Sequence, residues 1–168
     1  GFLVTFSFLS INANYGNSFK GELHAQLYNS DGSKQSEFLV YASETYQQYA
    51  MLPGNSIIAS LNDGGFAIVW NSFWGYAGAI TKITGQLYSP QGEKNGNEFT
   101  VIEASGATES SQVVTKLDDG SFVIVWNESN PFMGNGTGSN IFGKHYDAQG
   151  NPINSNFKIT AGSETIYK

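Results

Sequence analysis

The stretch LNDGGFAIVW (Leu61–Trp70) decides the fold, because it returns as LDDGSFVIVW (Leu117–Trp126). In both copies an Asp-Gly turn precedes a run of β-branched and aromatic residues, which is the pattern of a hairpin turn followed by a buried strand. A second matching pair follows, GQLYSPQG (Gly85–Gly92) and GKHYDAQG (Gly143–Gly150), and AQLYNSDG (Ala25–Gly32) is an earlier copy. The chain therefore consists of three copies of one unit, spaced by about 56 to 60 residues.

Each unit is predicted to form four short antiparallel strands joined by turns. The strands predicted in the third copy are Gln112–Leu117, Phe122–Trp126, Ile141–Tyr146 and Asn156–Ile159. We expect the second strand to be buried on both faces because its residues are apolar almost throughout. The fourth strand is expected to be half-exposed because polar and apolar residues alternate along it. Trp70 and Trp126 are predicted to lie in the core, and the Phe of each fourth strand is expected to face inward.

Tandem four-stranded units of this kind are typical of β-propeller blades. The predicted fold is therefore all-β: tandem four-stranded antiparallel blades of a partial, unclosed β-propeller with three blades, in a single domain over residues 1–168. The blades are expected at 1–48, which lacks its first strand, 49–105 and 106–163. Stacked hairpins in a sandwich or prism are the alternative. Since propellers close with four to eight blades, we expect either a fragment of a longer chain or a protomer that self-associates through its end blades.

Composition excludes several classes of function. The chain has 168 residues, 40% of them hydrophobic and 14% aromatic, which is enough for a core. It contains no cysteine, so a disulfide framework and a thiolate zinc site are excluded. The net charge is −6 and every cation is a lysine, which disfavours nucleic acid as a partner. No apolar run is long enough to predict insertion into a membrane.

The repeated pattern resembles modules of very large secreted or surface proteins of bacteria and of some ciliate proteins. Its elements are Asp-Gly-Gly-Phe-x-Val-x-Trp at 63–70 (with Ile for Val), Gly-Gln-x-Tyr-x-x-x-Gly at 85–92 and Glu-Phe-x-Val at 98–101. In those proteins the repeats often lie beside RTX-type or cadherin-like modules. The resemblance implies a propeller-like fold and an extracellular or cell-surface setting, often with a role in adhesion.

No set of residues has the spacing of a catalytic or metal site. His24 and His145 occupy different positions of the repeat, and a Gly-x-Ser-x-Gly nucleophile motif is absent. The sequence therefore predicts that the chain is not an enzyme. Calcium could be held by Asp118, Asp119 and Asp147, but turn geometry alone explains Asp-Gly at hairpin tips. We therefore predict no metal and no cofactor, with calcium as the weaker alternative.

Aromatic residues between the second and third strands are the candidate binding site. The predicted contact residues are Phe8, Tyr15, Phe19, Phe73, Trp74, Tyr76, Phe132 and Met133. Such rings beside Asn, Ser and Gly suit contacts with proteins or stacking on sugars. The predicted function is a binding or structural module of an extracellular assembly that contacts protein subunits. The alternatives are a lectin with one site per blade and an active site completed by further blades. Asn127 and Asn135 are candidate glycosylation positions.

Overall fold

The computed structural model describes residues 1–12, 18–45, 52–74, 80–105, 108–129 and 140–160. These residues form strands and no helix, so none of them belongs to a helix able to cross a membrane. The strands are β1 (Phe2–Asn12), β2 (Ser18–Tyr28), β3 (Lys34–Thr45), β4 (Leu52–Ser60), β5 (Phe66–Trp74), β6 (Ile80–Tyr88), β7 (Lys94–Ser105), β8 (Thr108–Lys116), β9 (Phe122–Ser129), β10 (Asn140–Tyr146) and β11 (Phe157–Lys158). The predicted all-β class is confirmed.

The strands form three antiparallel sheets, one from each copy of the repeat. Sheet I has the order β1-β2-β3, sheet II the order β4-β5-β6-β7, and sheet III the order β8-β9-β10-β11. Each sheet is a meander, because neighbours in the sequence pair with each other. The Asp-Gly turns join the first and second strands, and Gly64 and Gly120 take φ of 83° and 89° there, a conformation that suits glycine.

The sheets pack face to face, and the two clusters between them use the same positions of the repeat. The cluster between sheets I and II contains Leu23, Ala25, Leu27, Val40, Phe66, Ile68, Trp70 and Tyr88. The cluster between sheets II and III contains Leu61, Ala67, Val69, Ile83, Leu87, Val101, Phe122, Ile124, Trp126 and Tyr146. Trp70 and Trp126 are 0% and 1% exposed, so their predicted core positions are confirmed.

Glycines in the third strands make room for the phenylalanines of the fourth strands. Gly85 pairs with Phe99 across β6 and β7, and a Cβ added at Gly85 would lie 2.4 Å from Cζ of that ring. Gly143 stands in the same relation to Phe157, with 2.6 Å to its Cζ. The bulky ring thus lies flat over the glycine of its neighbouring strand, on the face that each sheet turns toward the next sheet.

Burial of the second strands depends on the position of the sheet. Phe66 through Trp70 in β5 are buried on both faces, as predicted. In β9, Val123 and Val125 are only half-buried, so the prediction of burial on both faces is wrong for this strand. The reason is that no described residue packs as a further sheet against that side of sheet III. Phe157 is likewise 40% exposed instead of facing a core.

Replacing Trp126 with alanine should lower the free energy of unfolding by about 3–5 kcal/mol, because the indole fills the core between sheets II and III. Denaturant melts monitored by circular dichroism measure this loss. The matched control is Ile153→Ala, whose side chain is 54% exposed and whose loss should stay within about 0.5 kcal/mol. Equal losses for the two variants would contradict the assigned core.

Candidate functional site

The outer face of sheet I, which points away from sheet II, carries a row of apolar side chains. It comprises Phe2, Val4, Phe6 and Phe8 of β1 with His24 and Tyr28 of β2. Phe2 and Phe8 are each 51% exposed and Val4 is 41% exposed. Their counterparts in sheet II lie in the core, with Phe66 at 7% and Ile68 at 0%. The same face of the repeat is therefore buried in one sheet and uncovered in the other.

One end of this face is charged. The imidazole of His24 stacks on Phe6 with ring centroids 5.8 Å apart, and its Nδ1 lies 3.2 Å from Oε1 of Glu37. Glu22 lies alongside, and its carboxylate pairs with Lys20 at 2.7 Å. The hydrogen bond from Lys20 holds the pKa of Glu22 below its usual range. The face thus offers an aromatic row that ends in two carboxylates.

A cavity of about 390 Å³ lies between sheets I and II beside the free edge of β1. Its lining includes Leu3, Leu27, Tyr28, Ile58, Phe66 and Pro90. Among the described strands β1 pairs only with β2, so its other edge is open. The cavity is therefore bordered by apolar side chains and by a strand edge that can accept a further strand.

The corresponding cavity between sheets II and III holds about 210 Å³. Its lining includes Gly120 and Ala148, which are the repeat counterparts of Gly64 and Pro90 in the first cavity. Leu61 borders the smaller cavity and is only 7% exposed, packed in the core cluster of this interface. A leucine side chain thus closes part of the smaller cavity.

Asp119, Ser121 and His145 meet at the first turn of sheet III, a contact that sequence spacing does not reveal. His145 Nε2 lies 2.8 Å from Ser121 Oγ, and this hydroxyl donates to Asp119 Oδ1 at 2.5 Å. The serine lies between the acid and the histidine, whereas a serine nucleophile needs the histidine in the middle. Since the single hydroxyl proton goes to Asp119, His145 must donate to Ser121 Oγ. The trio therefore orders the turn and fixes the imidazole on sheet III.

The aspartates considered for calcium act in turns. Asp119 Oδ1 accepts from the backbone N–H of Ser121, and Asp147 Oδ1 accepts from the N–H groups of Gln149 and Asn151. Hydrogen bonds from Ser121 and from Asn151, respectively, hold the pKa values of Asp119 and Asp147 below their usual range. Within the described ranges no three His, Asp or Glu side chains come together as a metal site.

The strands run further than the sequence suggested, which changes the setting of the predicted contact residues. Phe8 lies in β1, Phe19 in β2, and Phe73 and Trp74 in β5, rather than in loops. Of these four, Phe8 is the one whose side chain the structure describes, and it belongs to the outer face of sheet I. The remaining predicted contact residues lie outside the described ranges: Tyr15, Tyr76, Phe132 and Met133.

Of the two glycosylation candidates, Asn127 lies within the described residues. Asn127 is half-buried in β9, and its Oδ1 accepts a hydrogen bond from the backbone N–H of Ser111 at 2.9 Å. A glycan is attached through Nδ2 of the amide, so this contact at Oδ1 does not decide the assignment. Asn135 lies outside the described residues. Both assignments therefore stay predictions.

No protein-family model matches the chain, and no curated protein sequence matches it. Among solved structures, the endo-arabinase from Bacteroides thetaiotaomicron VPI-5482 is similar, with 9% sequence identity and a TM-score of 0.49. The similarity covers 91% of this chain and 61% of that one. This chain thus spans about three-fifths of the length of the structure that it matches.

This comparison corrects one prediction. The sequence led us to expect that the chain is not an enzyme, but the similar structure belongs to an enzyme by its name. The prediction, which rested on the absence of a catalytic motif, is therefore wrong, and we do not retain it. At this level of similarity neither the activity nor the substrate of the endo-arabinase transfers to this chain.

The tyrosines that correspond to Tyr28 are titratable groups inside the two interfaces. Tyr88 and Tyr146 are each 1% exposed, and burial raises the pKa of both above the usual value of 10.0. The charge of Glu98 contributes to the shift at Tyr88. Neither hydroxyl has a hydrogen-bond partner among the described residues. Both phenols are therefore held neutral in the folded chain.

Raising the pH above the unperturbed tyrosine pKa of 10.0 should destabilise the chain. Folding raises the pKa of both tyrosines. Their contribution to stability is therefore complete below the unperturbed pKa and is lost above it, where the tyrosines of the unfolded chain ionise first. Denaturant melts measure the free energy of unfolding. Between about pH 8 and pH 11 this free energy should fall less in the double variant Tyr88→Phe/Tyr146→Phe than in the unchanged chain. Tyr28→Phe, which changes a half-buried ring, is the control. An unchanged loss in the double variant would refute the assignment.

Proposed function

We propose that the chain is a binding module of β-propeller type, in which the three sheets are consecutive blades. Two observations support this arrangement. The first strands of sheets II and III, β4 and β8, lie against each other, and β4 also lies against β1 and β2 of sheet I. Each sheet is also a meander that uses the same face toward the next sheet. Blades that radiate from a shared axis have both properties.

The proposed contact surfaces are the uncovered faces of the two outer sheets, and the partners are proteins. The observation that carries the proposal is the contrast between Phe2, which is 51% exposed, and its counterpart Phe66 at 7%. At the other end of the chain, Ile141 and Ile159 are 37% and 49% exposed on the outer face of sheet III. Contiguous apolar surface that the same repeat buries elsewhere marks a protein interaction site.

The predicted aromatic contact residues are part of this proposal. Phe8 extends the outer face of sheet I toward the end of β1 that leads to residue 12, so it lies beside the apolar row and the charged end. The other predicted aromatic residues stay predicted contact residues, because their side chains lie outside the part of the chain that the structure describes. Large rings with fixed backbones supply much contact area at a small cost in side-chain entropy.

The proposed setting is an extracellular or cell-surface assembly. The resemblance of the repeat to modules of very large secreted and surface proteins supports it. The charge balance supports proteins over nucleic acid as partners, because the net charge is −6 and arginine is absent.

A second candidate function is carbohydrate binding at the charged end of the same face. Phe8 meets His24 edge-on at 5.4 Å between centroids, and the carboxylates of Glu22 and Glu37 lie beside that imidazole. Exposed rings next to carboxylate acceptors suit a sugar ring and its hydroxyl groups. A glycan array on the purified chain tests this candidate, with Phe8→Ala expected to abolish any signal.

Photocrosslinking tests the protein-binding proposal. A benzophenone amino acid at Val4, on the outer face, should yield discrete protein adducts on irradiation, both with the purified chain and in an extract of the source cells. The same amino acid at Thr100, an exposed position on the last strand of sheet II, is the matched control. Equal yields at the two positions, or adducts only with glycans, would overturn the proposal.

A further inference from the structure

A three-ring contact occurs twice inside this chain. Phe66 and Tyr88 of sheet II stack with centroids 5.4 Å apart, and Phe38 of sheet I lies 5.1 Å from the tyrosine ring. Phe122 and Tyr146 of sheet III stack at 5.3 Å, and Phe99 of sheet II lies 4.9 Å from that tyrosine. In both cases the last strand of one sheet places a phenylalanine across a Phe-Tyr pair of the next sheet.

A glycine in a turn completes each contact. A Cβ added at Gly92 would lie 2.6 Å from Cε1 of Phe38, and one added at Gly150 would lie 3.3 Å from Cε1 of Phe99. Both glycines have positive φ and follow the stacked tyrosine by four residues. The ring of the preceding sheet therefore rests on a turn where only glycine leaves enough space.

The two halves of a third such contact lie at opposite ends of the molecule. Phe2 and Tyr28 of sheet I stack at 4.8 Å and 6°, and Gly32 follows with nothing within 4 Å of an added Cβ. Phe157 of sheet III lies over Gly143 just as Phe99 lies over Gly85, but it is 40% exposed. Among the described residues, sheet I thus carries a pair that lacks its covering ring, and sheet III carries a covering ring that lacks its pair.

We infer that the outer face of sheet III binds the outer face of sheet I of a second copy of this chain, with Phe157 across Phe2 and Tyr28. The inference rests on the proposed function and names its partner. The contact continues an interface that the chain already forms twice, with apolar residues on both sides. Two copies joined by two such contacts make a ring of six blades, within the range in which propellers close.

Residue differences between the three repeat units also support a second copy of this chain as the partner. In the internal contacts Leu27 and Leu87 reach Gly92 and Gly150, whose preceding residues are the neutral Gln91 and Gln149. The corresponding position on sheet III is His145, and the residue preceding Gly32 is Asp31. In the contact between copies the histidine therefore meets the turn that carries the aspartate, whose Oδ1 accepts hydrogen bonds from Ser33. An imidazole thus replaces leucine at the position where a carboxylate replaces a neutral amide.

Complementation between two variants tests the inference. Phe2→Glu disables the outer face of sheet I and Phe157→Glu disables that of sheet III, and both side chains are exposed, so folding should persist. Light scattering after size exclusion should show association of the unchanged chain at about 10–100 μM. Each variant alone should weaken association at least about 30-fold. An equimolar mixture should form a heterodimer, because one intact pair of faces remains.

The outcomes separate this inference from the proposed function. Thr100→Glu is the matched control and should associate like the unchanged chain, while circular dichroism melts verify that each variant is folded. If either variant associates normally by itself, the faces pair with their own kind and the inference is wrong. Failure of the mixture to associate, or a monomeric unchanged chain, also overturns it. Crosslinks from Val4 to other proteins would in that case leave the protein-binding proposal standing.

Discussion

The structure depends on one contact: a phenylalanine of one sheet lying across the stacked phenylalanine and tyrosine of the next. Burying each of these rings contributes about 1.5–3 kcal/mol, and ring pairing adds about 0.5–1.5 kcal/mol. The glycines are a consequence of the contact, since Gly85 lets Phe99 lie flat and Gly150 lets the same ring approach the turn of the next sheet. Every sheet thereby depends on a neighbour for part of its stability, as in other repeat proteins.

The same constraint gives the molecule two unlike ends. A repeat that covers its neighbour on one side and is covered on the other has a direction, so within the described residues sheet I has no covering ring and sheet III has no pair to cover. Phe2 and Phe157 are exposed for this reason, although their counterparts in sheet II are packed. Exposure at these positions reflects the place of each sheet in the series, and not a change in the repeat itself.

Much of the fold could be predicted from sequence, because turns and strand cores depend on local patterns. The Asp-Gly turns, the β5 core and both buried tryptophans follow from residue type and alternation. Strand length did not follow, since Phe8 and Phe73 lie in the segment whose length differs between the copies of the repeat, which reads as a loop, yet hairpin pairing continues through them. Burial of β9 on both faces was predicted wrongly because an apolar strand does not reveal whether a further sheet covers it.

The candidate site was harder to predict, because it arises from differences between sheets. The contact among Asp119, Ser121 and His145 joins the turn before β9 to a side chain of β10 that follows 24 residues later, and no spacing rule covers it. The unclosed set of blades predicts that the faces of the end sheets are exposed, and aligning β1 with β5 identifies Phe2 and Val4 on one of them, but the charged end formed by Glu22, His24 and Glu37 does not follow from the alignment. Internal contacts need no specificity, since the chain connects the sheets in order. A contact between copies does need it, and polar and charged groups supply specificity more than affinity. The places where the repeat departs from its own pattern, Asp31 and His145, are therefore where recognition of the correct partner face should reside.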